Sequence, residues 1–451
     1  MRRILIAAIC LVLTGSACKG PAPEAPTTPL TAFADSLFQQ AIDSSFIAGA
    51  SVIVHQEGKD LLNRSYGYAS LELQAPIPEG ASFEIGSVTK QFTAAAILKL
   101  ASEGALSLDD DFTDYVPFET GGREISIRRL LDHTSGIPGY TEMEEFWNLS
   151  ISVHPRDSLL RLVETKPFLF EPGELQIYNN TGYFLLGLIV EKASGMDYEA
   201  YLDQAFFTPL GMDHTYYCST EKVVPGKVYG YNYTPEGLQQ KPYLVHTWPY
   251  AAGSLCSTAE DLLTWLKALH GGKVLGPEAY QLLISPEPLN DGSPLRYAKG
   301  LSVFNDFGHR HIGHGGGIHG FLSETRYYPD SDLYVVSLVN TTGPKGAGYF
   351  AEELAWQVLD KQDYPAVPFD LDPAPLTGTF RGVVRGRTLQ VHFTPTDAGL
   401  LVLPEGEKEA DTLKPYIGDA TWMDGNNSLR FQNGAWRIDQ IGGYYVLERV
   451  E

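Results

Sequence analysis

Residues 87–103, SVTKQFTAAAILKLASE, decide how this chain is read. The stretch is alanine-rich, carries apolar side chains at Phe92, Ala96, Leu98 and Leu100, opens on Ser87 and stops before Gly104. It therefore predicts a helix with serine at its start and a glycine stop. Ser87 and Lys90 stand three apart, so they share a helix face and the amine can reach the hydroxyl. A lysine whose pKa falls from about 10.4 towards neutrality can take the serine proton. The helix N-terminus then favours the negative charge that develops. Two other SxxK matches differ: Ser16 to Lys19 lies in the leader, and Ser219 to Lys222 opens no apolar helix.

Around this stretch the pattern is mixed. A helix is expected over residues 33–43, then strands over 50–55 (ASVIVH) and 60–69 with a turn at Glu57-Gly58. Further helices are expected over 183–193, closed by Gly195, and 258–269. Residues 323–328 and 333–339 (LYVVSLV) flank a turn, and a helix over 347–359 follows. Strands at both ends with helices between predict an α+β domain over 33–365. Prolines cluster at 365, 368, 373 and 375. Beyond them only strand patterns and turn dipeptides appear, which predicts a small all-β accessory domain, barrel-like, over 370–451.

The 451 residues carry a net charge of −22, with 43% hydrophobic and 12% aromatic residues. That composition excludes a disordered chain, and the acidity excludes a basic nucleic-acid footprint. Arg2 and Arg3, an apolar run over 4–13, and Gly15, Ser16 and Ala17 before Cys18 read as an export signal over 1–17. Small residues before Cys18 resemble a bacterial lipoprotein box with Cys18 as lipid carrier. Gly15 departs from that pattern, and plain secretion is the other reading. The expected location is periplasmic or a cell-surface lipoprotein, with residues 18–32 as a proline-rich tether. Cys218 and Cys256 form either a disulfide or two buried thiols. No zinc spacing is present.

The chain contains no GxSxG, HExxH, P-loop or dinucleotide fingerprint. It does contain Tyr178-Asn179-Asn180, a phenol and an amide two apart, and His314-Gly315-Gly316-Gly317, where glycine lets a substrate approach a strand edge. Ser87-x-x-Lys90, then Tyr178-x-Asn180, then His314-x-Gly316, in that order, resembles the penicillin-recognising serine hydrolases, the serine β-lactamase-like superfamily. Residues 83–90 (FEIGSVTK), 131–138 (LDHTSGIP) and 253–262 (GSLCSTAEDL) extend the resemblance over roughly 33–360. HGG stands where class C β-lactamases carry KTG.

The resemblance implies an antiparallel sheet flanked by helices with a helical subdomain. It implies a serine hydrolase with Ser87 as acyl-accepting nucleophile, Lys90 and Tyr178 sharing its activation, and Asn180, His314 and Gly316 contacting substrate. The backbone N–H groups of Ser87 and Gly317 would form the oxyanion hole. It implies no cofactor and no metal, and a small ester or D-amino-acid-containing peptide as substrate. The alternatives are a low-activity penicillin-binding D-Ala-D-Ala carboxypeptidase or β-lactamase, and a non-catalytic binding protein that keeps the fold. Because His314 replaces a permanent cation, carboxylate-bearing substrates, β-lactams included, are expected to bind poorly. His133 is expected to be structural. Trp248-Pro249-Tyr250 is expected either to line the acyl pocket or to serve the core. His309, His311 and His319 are expected on a turn, not on a metal.

Overall fold

The computed structural model describes residues 28–397 and 399–450. The export signal, Cys18 and the tether as far as residue 27 lie outside them. The expected tether end at residue 32 is already helix. Thr28 Oγ1 accepts from Thr31 N, Pro29 sits in the first turn, and the helix runs Pro29–Asp43.

The main sheet has seven antiparallel strands. Gly49–Gln56 lies inside it, between Lys59–Ser70 and the central strand Leu333–Val339, so the sheet joins the two ends of the domain. Phe321–Tyr328, His309–Ile318 and Ser302–Asp306 continue outward from Leu333–Val339. Leu333, Val335 and Val339 face a cluster with Phe38 and Phe350, from helices Pro29–Asp43 and Ala347–Ala355. Tyr334, Val336 and Leu338 face the larger core with helices Thr89–Ser102 and Ala259–His270. A sheet covered on both faces wants apolar residues on both faces of a strand, which is why LYVVSLV carries only one small polar residue, the buried Ser337. Each large side chain fully buried there stabilises the fold by about 1.5–3 kcal/mol.

Nine strands between Gly378 and Arg449 form a second antiparallel sheet around Phe380, Phe393, Trp422 and Trp436. The sheet curls until Lys414 near one end ion-pairs with Asp424 near the other, at 2.8 Å. Its tenth strand comes from the larger, N-terminal domain: Gln176–Ile177 pairs with Gly443 and Tyr444. Arg296 and Asp439 add an ion pair across the same boundary. The C-terminal domain is thus hydrogen-bonded to the segment that leads directly into Tyr178.

Cys218 and Cys256 are joined in a disulfide. Cys256 lies on the strand that pairs with Phe83 and Glu84, just before Ser87. The bond spans 38 residues, a loop worth about 4 kcal/mol in chain entropy. Cys218→Ser is expected to lower unfolding stability by up to that amount. Urea midpoints of wild type with and without reductant check this, and coincident midpoints would contradict it.

Among the described residues, no helix is long and apolar enough to cross a membrane.

Candidate active site

Ser87 does not open the long helix as its sequence pattern suggests. It sits in a short 3-10 turn, Gly86–Val88, ahead of Thr89–Ser102. Gly86 has φ +49°, in the left-handed region, and a Cβ there would lie 2.9 Å from the backbone of Gly317. The bend presses the nucleophile's turn against the glycine strand. Ser87 is the one partly exposed residue in an otherwise buried run from Ala81 to Leu98.

Lys90 is completely buried. Its Nζ bonds Ser87 Oγ at 3.1 Å, Asn180 Oδ1 at 2.8 Å and the Ala252 carbonyl at 2.8 Å. Burial, reinforced by the Arg385 charge and opposed by Glu142, holds its pKa well below that of an ordinary lysine. A neutral amine has two N–H donors and one lone pair. Asn180 Oδ1 and Ala252 O can only accept, so in its neutral form Lys90 gives both donors to them and turns its lone pair to the Ser87 hydroxyl, whereas the ammonium donates to all three.

Asn180 is the first residue of helix Asn180–Ser194, whose N-cap, Asn179, accepts from Gly182 N. Tyr178, two residues earlier, donates its backbone N–H to the Gly442 carbonyl at 2.8 Å. Its hydroxyl is buried without a protein hydrogen bond. Burial raises the phenol's pKa, and Ser87 is close enough to oppose that rise while lying outside hydrogen-bond geometry. Lys90 Nζ stands 4.7 Å from the Tyr178 ring centre. His133 supports the ring from behind at 4.4 Å and accepts from Asn179 N. Burial, with Lys90 nearby, keeps His133 neutral, so it acts as scaffold.

The strand Ser302–Asp306 pairs only as far as Gly313, so residues 314–318 form a free edge facing the cleft. His314 Nδ1 bonds the Gly315 carbonyl and must donate, which makes Nε2 the acceptor for Tyr297 Oη at 3.0 Å. Burial and Lys90 push its pKa down to about 3, so the ring is neutral, as its sequence position suggested. His309 bonds Asp360 O, His311 packs on Phe304, and His319 stacks on Trp147. Among the described residues no group of three or more metal-ligating side chains converges.

Two cavities meet at Ser87. One, of about 250 Å³, is largely apolar, with Phe146, Trp147, Leu244, Pro249 and Ile318 in its wall. The other, of about 380 Å³, is lined by Tyr178, Tyr297, His314 and residues 440–442 of the C-terminal domain. Both lie near the lower end of small-molecule sites, which suits a short acyl group. Pro249 lines the cleft, whereas Trp248 and Tyr250 are core.

The Beta-lactamase family profile matches residues 34–360, most of the chain. The chain belongs to the Beta-lactamase family. It is therefore a serine hydrolase of that fold. Penicillin-binding protein 4* of Bacillus subtilis (strain 168) is 31% identical over 64% of this chain and 67% of its own length. Protein flp of Staphylococcus aureus (strain N315) is 29% identical over 74% of this chain and 67% of its own. The octameric penicillin-binding protein homologue from Pyrococcus abyssi superposes with a TM-score of 0.66 at 24% identity, over 92% of this chain and 99% of that one. The D-amino acid amidase from Ochrobactrum anthropi SV3 superposes with a TM-score of 0.65 at 22% identity, over 74% and 100%.

All of Ser87, Lys90, Tyr178, Asn180, His314, Gly316 and Gly317 converge on this one cleft of the β-lactamase-fold domain. Tyr297, Glu142 and Arg385 also line it, and sequence reasoning missed them. No motif marks any of the three. The only local signal at Arg385 is its place beside Gly386, in a two-residue turn between strand patterns.

Proposed function

We propose that this protein is an exported serine hydrolase that forms an acyl-enzyme on Ser87 and acts on esters or on peptides containing D-amino acids. The observation that carries it is the buried Lys90 amine, whose Nζ lies in hydrogen-bond contact with Ser87 Oγ while Asn180 Oδ1 and the Ala252 carbonyl accept from it. Lys90 takes the Ser87 proton as Oγ bonds the substrate carbonyl carbon. The N–H groups of Ser87 and Gly317 receive the oxyanion. Tyr178, kept protonated by burial, gives its proton to the leaving atom as the scissile bond breaks and regains one from the Lys90 ammonium. Water then repeats the attack in reverse and frees the acid. The 31% identity to a penicillin-binding protein supports acyl transfer at this site. The disulfide supports an oxidising compartment, in keeping with the leader and Cys18.

Incubation with a fluorophosphonate, followed by peptide mass spectrometry, tests the reading. A stoichiometric adduct on Ser87, absent in Ser87→Ala, is expected. A folded protein that takes no label, or takes it elsewhere, would sink the acyl-enzyme.

A further inference from the structure

Among the described residues lining the cleft, Arg385 alone carries a permanent positive charge and Glu142 alone a carboxylate. Lys90 lies beneath the surface with its pKa held well below that of an ordinary lysine, and His314 is neutral. The expectation that this cleft lacks a cation therefore fails. The cation comes from the C-terminal domain.

Arg385 and Gly386 form the two-residue turn between strands Gly378–Val384 and Arg387–Thr396. Both have positive φ, 46° and 73°, the pattern of a type I′ hairpin turn. That turn favours Asn, Asp or Gly at its first position, so an arginine there is held against local preference. The hairpin tip packs on Glu142, since a Cβ on Gly386 would lie 3.5 Å from Glu142 Cβ. Arg385 Nη2 donates to Glu142 Oε1 at 3.0 Å, and the guanidinium carbon is 5.5 Å from the Tyr178 ring centre.

The two partners are held unequally. Glu142 Oε2 also accepts from Thr141 Oγ1 at 2.9 Å, and Thr141 Oγ1 in turn accepts from Asn180 Nδ2 at 3.0 Å. Glu142 is thereby tied through Asn180 to Lys90. Arg385 makes one side-chain hydrogen bond, to Glu142, among the described residues, and its side chain is 50% exposed. Four of its five N–H donors remain available. Glu142 fixes one edge of the guanidinium and leaves the rest for an anion that binds in two-pronged fashion.

We propose that Arg385 is the specificity-determining residue that recognises a free carboxylate on the substrate. The substrates are then acyl compounds, short peptides above all, with a carboxylate close to the scissile bond. This rests on the acyl-enzyme reading above. It also gives the C-terminal domain a definite task, since the domain supplies one wall of the site and its cation.

The test compares kcat/KM of the purified protein on two depsipeptides. One is an acyl-D-lactate ester with a free carboxylate on the leaving group, the other its carboxamide. Wild type is expected to favour the carboxylate. Arg385→Ala is expected to reduce that preference at least tenfold, and Arg385→Lys to fall between, because an ammonium keeps the charge without the fork. Equal losses on both esters would make Arg385 a positioning residue for Lys90 and overturn the proposal. So would an unchanged ratio, no preference in wild type, or no turnover of either ester by protein whose Ser87 still takes the fluorophosphonate. Failure of Ser87 to take that label in wild type counts against the acyl-enzyme instead, so the two readings fail separately.

Discussion

Replacing Lys90 with methionine is expected to slow acylation of Ser87 by about 10²- to 10⁴-fold, the usual contribution of a positioned general base. Methionine fills the buried channel but offers no lone pair of comparable basicity to the Ser87 hydroxyl. It leaves Asn180 Oδ1 and the Ala252 carbonyl without the donors they now have, a cost to stability of about 1–3 kcal/mol. Thermal unfolding should therefore still be cooperative, and lost rate cannot be assigned to lost fold. Lys90→Arg separates charge from basicity, because a guanidinium does not deprotonate in proteins. It is expected to be as slow as Lys90→Met, and near-wild-type acylation by it would remove Lys90 from the role of base. The wild-type pH profile carries the same information. Burial and Arg385 lower the amine's pKa, so its active, neutral form accumulates as pH rises and is complete well below the ordinary lysine range. The acylation rate should climb with pH and level off before the range in which an ordinary lysine titrates. His314, with a pKa near 3, does not change charge between pH 5 and 9 and should add no limb of its own. Stopped-flow acylation by a p-nitrophenyl ester measures both.

Much of this was legible in the chain because it depends on local geometry. A serine and a lysine three apart on an alanine-rich run define one face whatever surrounds them. The run at 333–339 is apolar on both of its faces, Ser337 apart, because both faces of the sheet are covered. Gly195 marks a helix end by chemistry that acts within a turn, whereas the start expected at 183 lies at Asn180, behind the Asn179 cap. What stayed hidden depends on contacts between distant segments. Gly442 is the acceptor for Tyr178 N only because Gln176–Ile177 joins the C-terminal sheet. Arg385 reaches Glu142 across 243 positions of sequence, and no spacing rule connects them. The apolar wall of Phe146, Trp147 and Leu244 joins a short helix, Glu144–Leu149, to a loop inside the segment closed by the Cys218–Cys256 bond, and no periodicity connects the two. The start of the long helix was misplaced for a smaller reason. Gly86 turns left-handed under Gly317, so Ser87 is held in a separate turn ahead of it.

Gly316→Ala is expected to be the most damaging single methyl in the site. Gly316 needs no special backbone conformation; it needs space. A Cβ there would lie 2.2 Å from the Ile85 carbonyl, 2.2 Å from Ser323 Oγ and 3.1 Å from Ser87 N. The serine hydroxyl could rotate away, but it donates to that same carbonyl at 2.7 Å, and rotation would forfeit the bond. The Ile85 carbonyl belongs to the backbone that leads into Gly86 and Ser87, so it can move only by carrying the nucleophile with it. Either the turn or the strand edge must withdraw, and the N–H groups of Ser87 and Gly317 part. Loss of one oxyanion donor costs about 10²- to 10³-fold in other serine hydrolases, and overpacking costs about 1–3 kcal/mol. Gly315→Ala is the matched control. Its Cβ would meet the carboxylate end of Glu324 at 2.7 Å, a side-chain terminus that can shift, so its loss in acylation should stay below about tenfold. Burst kinetics on an activated ester, with thermal unfolding on the same samples, compares the two variants. If Gly316→Ala acylates as well as Gly315→Ala, the strand edge does not set the position of Ser87. The oxyanion would then have to be sought on donors other than Gly317, and the close fit of Gly86 on that strand would be packing alone.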